Sequence, residues 1–280
     1  MKFHVVPCLW VLFIGIPCQA AERLVTLGGP VTEIIFALGA GDEVVAVDQS
    51  SLYPETATQL PQVGYVGALG AEGVLSLNPT LILASTRIGP PAVVKQLSQS
   101  GIPLRVVENP NSAESLRETI EALGSYLNRT EAAQSLWQRI DEDLHKTREA
   151  IDGRETPGVV FLLGNNGIPM AAGTDTQANG IVHLAGGRNL FSGYSSYKPV
   201  SEEALIQAQP DVILIASHGT GLERDPQTAL RDLGLTQLAR NATRIHLIDM
   251  GEYLSFGPRT GEAAYKLAQI LHDAKASSSE

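Results

Sequence analysis

The sequence PQVGYVGALGAEGVLSLNPTLILA (residues 61–84) determines how we interpret the rest of the chain. A turn bounded by glycines presents one tyrosine, Tyr65. A short helix is predicted next, with Glu72 in its first turn, and an apolar strand is predicted after Pro79. We interpret this segment as one half of a ligand clamp, with Tyr65 facing the ligand and Glu72 facing a docking partner.

A second copy of this pattern lies further along the chain. The first copy consists of Glu72, six residues, Pro79 and TLIL. The second consists of Glu203, six residues, Pro210 and DVIL, and it is offset from the first by 131 residues (203 − 72). Each copy predicts a helix with an acid at its start, a proline that ends it and a buried strand. Two similar lobes imply a cleft between them, where small ligands usually bind.

The remaining pattern predicts an α/β protein made of two Rossmann-like lobes with mainly parallel sheets, joined by one long bridging α-helix. Short apolar strands alternate with helices on both sides of residues 112–153, where only helical periodicity occurs. A loop is predicted over 188–199 and a helix over 230–238. The predicted divisions are a signal peptide at 1–20, an N-terminal lobe at 21–124, the bridging helix at 125–153 and a C-terminal lobe at 154–280.

Composition and local motifs exclude several classes of function. The net charge of −10 disfavours nucleic acid, which normally requires a basic surface. The chain has no G-x-G-x-x-G dinucleotide fingerprint, no G-x-S-x-G elbow, no H-E-x-x-H and no P-loop. A secreted α/β hydrolase is therefore a weak alternative, and we expect the protein not to be an enzyme.

The first twenty residues have the composition of a cleavable secretory signal. Lys2 precedes an apolar run at 5–16, which is too short to cross a bilayer, and small residues precede Ala21. Both cysteines, Cys8 and Cys18, lie in this segment, so the mature protein is predicted to lack disulfides and thiolate chemistry. Lipid attachment at Cys18 is an alternative that Pro17 disfavours.

The two Glu-x6-Pro motifs and the bridging helix resemble the substrate-binding proteins of ABC importers for iron complexes, haem and cobalamin. Within that family, the periplasmic haem-binding branch is the most similar. Its marks in this sequence are VGY (63–65), AEGVL (71–75), MAAGTDT (170–176), LAGGRN (184–189), YKPVS (197–201) and SFGPRT (255–260). The resemblance covers essentially the whole mature chain and implies a periplasmic location.

This resemblance implies roles for individual residues. Tyr65 takes the place of the axial ligand of the haem iron, and Arg259 that of an arginine near the haem propionates. Glu72 and Glu203 take the places of acids that dock onto the membrane subunits of the importer. Relatives often have an arginine two residues after the tyrosine, where this chain has Gly67. Three cations are candidates to replace it: Lys198, Arg87 and Arg259.

The chemistry of the residues agrees with haem as the transported ligand. A phenolate is a hard anionic donor that suits ferric iron, and tyrosine is a known haem ligand. Tyr194, Tyr197 and His218 are further candidates to line the cleft. Apolar walls are predicted from Leu69, Ile88, Ile168, Met170, Tyr194 and Phe256.

Two other cargoes remain open, a ferric siderophore and a cobalamin. Tyr65 favours haem over both, because a chelate that already satisfies its metal needs no phenolate from the protein. The predicted partners are haem, the membrane subunits of an ABC importer and, as a further candidate, an outer-membrane haem uptake system.

Overall fold

A computed structural model describes residues 22–165, 167–217, 225–241 and 244–273. The predicted signal peptide at 1–20 and the candidate His218 lie outside these described residues. Within them, no helix combines the length and hydropathy needed to cross a bilayer.

The N-terminal lobe is built on a fully parallel four-stranded sheet in the order β2-β1-β3-β4. Its strands are short and largely apolar, and β1 is buried along its whole length, as expected for a parallel sheet covered by helices. The elements are β1 (Leu24–Leu27), α1 (Gly29–Ala37), a 3-10 turn (Gly41–Glu43), β2 (Val44–Val47), α2 (Glu55–Thr58), α3 (Ala71–Leu75), β3 (Leu81–Ser85), α4 (Pro91–Ser98) and β4 (Leu104–Val107).

Two consecutive helices follow, α5 (Ala113–Tyr126) and α6 (Thr130–Ile151). The 22 residues of α6 span about 33 Å at 1.5 Å per residue. One face of α6, with Leu136, Ile140 and Leu144, is buried in a hydrophobic core that also contains residues of both sheets. The long bridging helix is therefore confirmed as an element, and the boundaries 21–124, 125–153 and 154–280 remain our proposal.

The C-terminal lobe has a mixed six-stranded sheet, and the expectation of mainly parallel sheets is confirmed for the two lobes together. The order is β10-β9-β5-β6-β8, with β6 antiparallel to both neighbours and β7 parallel to β5. The elements are β5 (Gly158–Asn165), β6 (Ile168–Ala172), α7 (Gln177–Leu184), β7 (Arg188–Asn189), β8 (Tyr197–Pro199), α8 (Glu202–Ala208), β9 (Val212–Ser217), α9 (Pro226–Asp232), α10 (Leu238–Asn241), β10 (Ile245–Asp249), α11 (Met250–Tyr253) and α12 (Thr260–His272).

The internal repeat extends to the backbone. Asn78 and Gln209, each directly before the proline of its copy, have φ values of 49° and 50°. In each copy a residue with positive φ lies between the short helix and the buried strand, β3 in one lobe and β9 in the other. The two copies thus place Glu72 and Glu203 at equivalent positions in α3 and α8.

Gly180 in α7 marks a close approach between segments on either side of α6. A Cβ at this position would overlap the carbonyl oxygen of Asn111 and lie 2.7 Å from Phe256 Cζ. We expect Gly180→Ala to lower the free energy of unfolding by about 2 kcal/mol, because overpacking outweighs the better helix propensity of alanine. Urea denaturation measures the change.

The matched control is Gly73→Ala in helix α3, where a Cβ would meet no atom within 4 Å. It should stabilise the protein by up to about 1 kcal/mol. A similar response of both variants would contradict the close approach at Gly180.

Candidate functional site

A cleft of about 530 Å³ opens between the lobes, within the usual size range of small-molecule sites. Both lobes contribute to its lining, which mixes apolar side chains with a few charged ones. The lining includes Glu33, Leu52, Tyr53, Tyr65, Arg87, Leu163, Tyr197, Met250, Leu254, Ser255 and Arg259.

Tyr65 lies in the loop between α2 and α3 and is 46% exposed at the cleft. It follows Gly64, whose φ of +104° is accessible to glycine and strained for other residues. The loop is attached to the end of β2 by hydrogen bonds from Val63 N to Val47 O (3.0 Å) and from Gln49 N to Gly64 O (2.8 Å). The sheet therefore positions the phenol.

Arg87 approaches the phenol from the loop after β3. Its Nη2 lies 3.5 Å from the Tyr65 hydroxyl, at the upper limit of a hydrogen bond. The two loops are joined by backbone bonds from Gly89 N to Val66 O (2.9 Å) and from Leu69 N to Gly89 O (3.0 Å). This pairing keeps the backbone of the two loops close together, within reach of a contact between the guanidinium and the phenol.

Gly67 has no side chain, so the cation beside the phenol comes from another loop. A Cβ at this position would lie 3.3 Å from Tyr65 Cε1, a tight contact that a shift of the exposed ring by a few tenths of an ångström would relieve. Of the three cations that the sequence offers as replacements, Arg87 is the one that the structure places at the Tyr65 oxygen.

Arg259 lines the cleft, but its guanidinium is bound to Glu33. Nε donates to Oε2 at 3.1 Å, and Nη2 donates to Oε1 at 2.8 Å and to Gly251 O at 3.0 Å. Ser255 donates to the same carboxylate at 2.7 Å. Burial lowers the pKa of Arg259, but the hydrogen bonds and charge of Glu33, together with Tyr53 and Glu252, raise it by more, so the guanidinium stays charged.

Tyr197 also lines the cleft, in β8. Burial raises its pKa to about 12, although Ala178, Arg87 and Thr176 oppose the shift. Its phenol is therefore held in the neutral form, which makes it a poorer candidate for an anionic ligand.

Tyr194 and Lys198 lie elsewhere. In the described part of the chain, neither is among the residues that line the cleft. The Tyr194 hydroxyl donates to Ala171 O at 3.1 Å, and Lys198 Nζ lies 4.9 Å from the centre of the Tyr194 ring. These two side chains pair with each other beside β6.

The predicted apolar walls need correction. Leu69 and Phe256 are buried in the core, and Ile88, Ile168 and Met170 are likewise absent from the described lining. The apolar side chains that do line the cleft include Leu52, Leu163, Met250 and Leu254. The loops expected to form walls instead pack their hydrophobic residues inward or away from the cleft.

Sequence reasoning missed Glu33 and Tyr53. Glu33 is the lone acid in the apolar run of α1 and is only 5% exposed, and a buried carboxylate requires a partner. That requirement was a signal available in the sequence. Tyr53 had no comparable signal, because its partner Arg259 is more than 200 positions away.

The two proposed docking acids are exposed on the surface of their lobes. Glu72 is in the first turn of α3, and Glu203 is in the first turn of α8. Hydrogen bonds from its own backbone N–H and from Ser201 hold the pKa of Glu203 below its ordinary value, which keeps the side chain negative.

The sequence and the structure are both similar to those of known binding proteins. The family model described as "Periplasmic binding protein" matches residues 24–244. A vitamin B12-binding protein of Yersinia pestis (strain Pestoides F) is 30% identical over 210 residues, which is 74% of each chain.

Two solved structures share the fold over most of their length. The periplasmic heme-binding protein RhuT from Roseiflexus sp. RS-1, in apo form, matches with a TM-score of 0.82 and 35% identity, over 90% of this chain and 98% of that one. The periplasmic heme-binding protein BhuT, in complex with two hemes, matches with a TM-score of 0.81 and 35% identity, over 91% and 99%. The two-lobe architecture is thus shared over about nine-tenths of this chain.

Proposed function

Because this chain belongs to the periplasmic binding protein family, we propose that it binds haem in the cleft between its lobes and delivers it to the membrane subunits of an ABC importer. Proteins of this family are substrate-binding components of ABC importers and are not enzymes. The observation on which haem rests is Tyr65, an exposed phenol at the cleft with a guanidinium beside its oxygen.

The side chains of the cleft fit the chemistry of haem. A ferric porphyrin is a flat apolar disc that needs an axial donor, apolar walls and a cation for its carboxylates. Tyr65 offers a hard oxygen donor, and Leu52, Met250 and Leu254 offer apolar surface. Arg87 is the proposed cation, both for the phenolate and for a propionate.

A cobalamin is the second candidate, because the Yersinia relative is named a vitamin B12-binding protein. The deciding experiment is an absorbance titration of the purified protein with ferric haem and, separately, with cyanocobalamin. Haem as cargo predicts a saturable Soret shift at micromolar protein and no saturation by cyanocobalamin. Saturation by cyanocobalamin alone would overturn the haem proposal, and saturation by neither would direct attention to ferric siderophores.

We place this protein in the periplasm after removal of residues 1–20, where an outer-membrane haem uptake system would supply its cargo. Export with cleavage predicts an N-terminus at Ala21. Intact-mass measurement of the protein isolated from periplasmic extract tests this, and a mass retaining residues 1–20 would contradict it.

Glu72 and Glu203 are proposed to dock on cationic residues of the membrane subunits. They are exposed, negative and equivalent under the internal repeat, which suits a partner that contacts both lobes at once. The double variant Glu72→Lys with Glu203→Lys should abolish haem-dependent growth of the source organism, because like charges repel across an interface.

Charge reversal at two exposed acids that do not belong to the internal repeat is the matched control. Glu121→Lys with Glu149→Lys serves, since both acids lie on exposed helix faces. Growth lost equally in both double variants would contradict specific docking.

Arg87→Ala is expected to raise the Kd for ferric haem about tenfold. A hydrogen bond to a charged group contributes about 1.5–3 kcal/mol, and the long 3.5 Å contact at an exposed side chain places this one at the lower limit. Arg87→Lys should recover part of the loss. Titration of the Soret band measures the Kd of the parent and of both variants. An unchanged Kd in Arg87→Ala would show that Arg87 does not contribute to haem binding.

A further inference from the structure

Tyr53 is a second large aromatic side chain at the cleft. It is 46% exposed, lines the cleft on the side of the N-terminal lobe and follows Leu52, which is 58% exposed. Exposed apolar side chains grouped at a concave site usually mark a ligand contact.

A cation covers one face of the Tyr53 ring. Arg259 Cζ lies 4.1 Å from the ring centre, well within the range of a cation–π contact. Tyr53 nevertheless remains 46% exposed and lines the cleft. The ring is thus held by a cation and still leaves surface open to a ligand.

The supporting guanidinium is itself fixed. Its bonds to Glu33 and to Gly251 O orient it, and Ser255 holds the carboxylate from a second direction. Glu33 is in α1, and Arg259 directly precedes α12. The Glu33–Arg259–Tyr53 stack therefore joins the two lobes at the cleft.

The loop that presents Tyr53 is also held. The fully buried Asp48 accepts hydrogen bonds from Gly28 N (2.7 Å), Ser50 N (2.9 Å) and Ser51 Oγ (2.8 Å). These bonds fix the chain from the end of β2 to the start of the 50–54 segment. A contact surface that is ordered before binding loses less entropy when the ligand arrives.

We propose that Tyr53 is a second contact residue of the cleft, a stacking platform for the flat ring of the ligand, and that Arg259 is a positioning residue that acts through Tyr53. This inference rests on the proposed function and adds to it a recognition element that needs no metal. Aromatic surfaces pair by offset stacking, and a porphyrin ring offers such a surface with or without iron.

Metal-free protoporphyrin IX separates this contact from the bond between Tyr65 and iron. Tyr53→Leu is expected to raise the Kd for the metal-free ring and for ferric haem by the same factor, about five to ten. Tyr53→Phe keeps the ring and should recover most of that loss. Tyr65→Phe should instead weaken ferric haem at least ten times more than it weakens the metal-free ring.

Tyr126→Leu is the matched control. Tyr126 is 39% exposed on α5 and has its own cation, with Arg105 Cζ 5.8 Å from the ring centre, but it is not among the described residues of the cleft lining. Its loss should leave both Kd values within about twofold of the parent.

The role of Arg259 is tested in two backgrounds. Arg259→Lys should raise the Kd for the metal-free ring about threefold in the parent and have no further effect in Tyr53→Leu, because the ring through which it acts is gone. Equal effects in both backgrounds would show that Arg259 does not act through Tyr53.

The outcomes separate the two proposals. If the parent does not bind ferric haem, the proposed function fails and this inference fails with it. If the parent binds ferric haem but not the metal-free ring, or if Tyr53→Leu leaves the Kd for the metal-free ring within twofold, the function stands and the stacking platform is overturned.

Discussion

Replacing Tyr65 by phenylalanine should raise the Kd for ferric haem at least about 100-fold. The variant keeps the ring and removes the only atom of this side chain that can bind iron. Loss of groups that merely orient a metal ligand already costs 10–100-fold in affinity, so loss of the ligand itself should cost more. Titration of the Soret band in the parent and in Tyr65→Phe measures the change.

The same substitution at Tyr126 is the control, since that tyrosine is exposed to a similar extent on α5 and is not among the described cleft residues. Tyr126→Phe should bind ferric haem as the parent does. A Kd for Tyr65→Phe within threefold of the parent would mean that another side chain binds the iron. Tyr53 would then be the first phenol to test, because burial keeps the Tyr197 phenol neutral.

Much of this fold is predictable because its strands are buried on both faces. The apolar segments at β3 and β9 are continuous, are preceded by proline and recur at the same offset, so the sequence predicts both as buried strands. The long helix α6 was equally clear, since its apolar stripe persists through a charged segment. In these elements local pattern and tertiary burial agree.

The edge of the second sheet was not predictable in the same way. The segment at 188–199 was expected to be a loop, yet it contains β7 and β8. Strand β8 is short, contains Pro199 and exists because it pairs with β6, which is a non-local cause. The helix expected over 230–238 was also wrong, since Gly234, with a φ of +76°, separates α9 from α10.

The residues of the site likewise fall into those that the local sequence indicates and those that depend on contacts between distant segments. Tyr65 stands out locally between glycines, whereas the choice of Arg87 among three candidate cations depends on the backbone bonds that pair two loops. Glu33 and Tyr53 become partners of Arg259 only when the chain has folded. Sequence motifs identify side chains with suitable chemistry, and the approach of distant segments decides which of them meet.

The pair of Glu33 and Arg259 gives the largest effect on stability. We expect Glu33→Ala to lower the free energy of unfolding by about 3 kcal/mol. Removal of one partner of a buried ion pair costs about 3–5 kcal/mol, and the low end applies because the Arg259 side chain is 25% exposed and regains some water. Urea denaturation measures the loss, and Glu121→Ala, from an exposed pair on α5, should change stability by less than about 0.5 kcal/mol.

A double variant identifies the cause of that loss. Glu33→Leu with Arg259→Leu removes both charges and places apolar groups in the same space, so it should recover most of the stability that Glu33→Ala loses. If it did, the cost would come from the guanidinium that is left without its carboxylate, and not from the net stability of the pair. A double variant as unstable as Glu33→Ala would instead mean that the pair itself stabilises the contact between the lobes. Since Arg259 also supports Tyr53, the double variant should bind metal-free porphyrin more weakly even where its stability is restored.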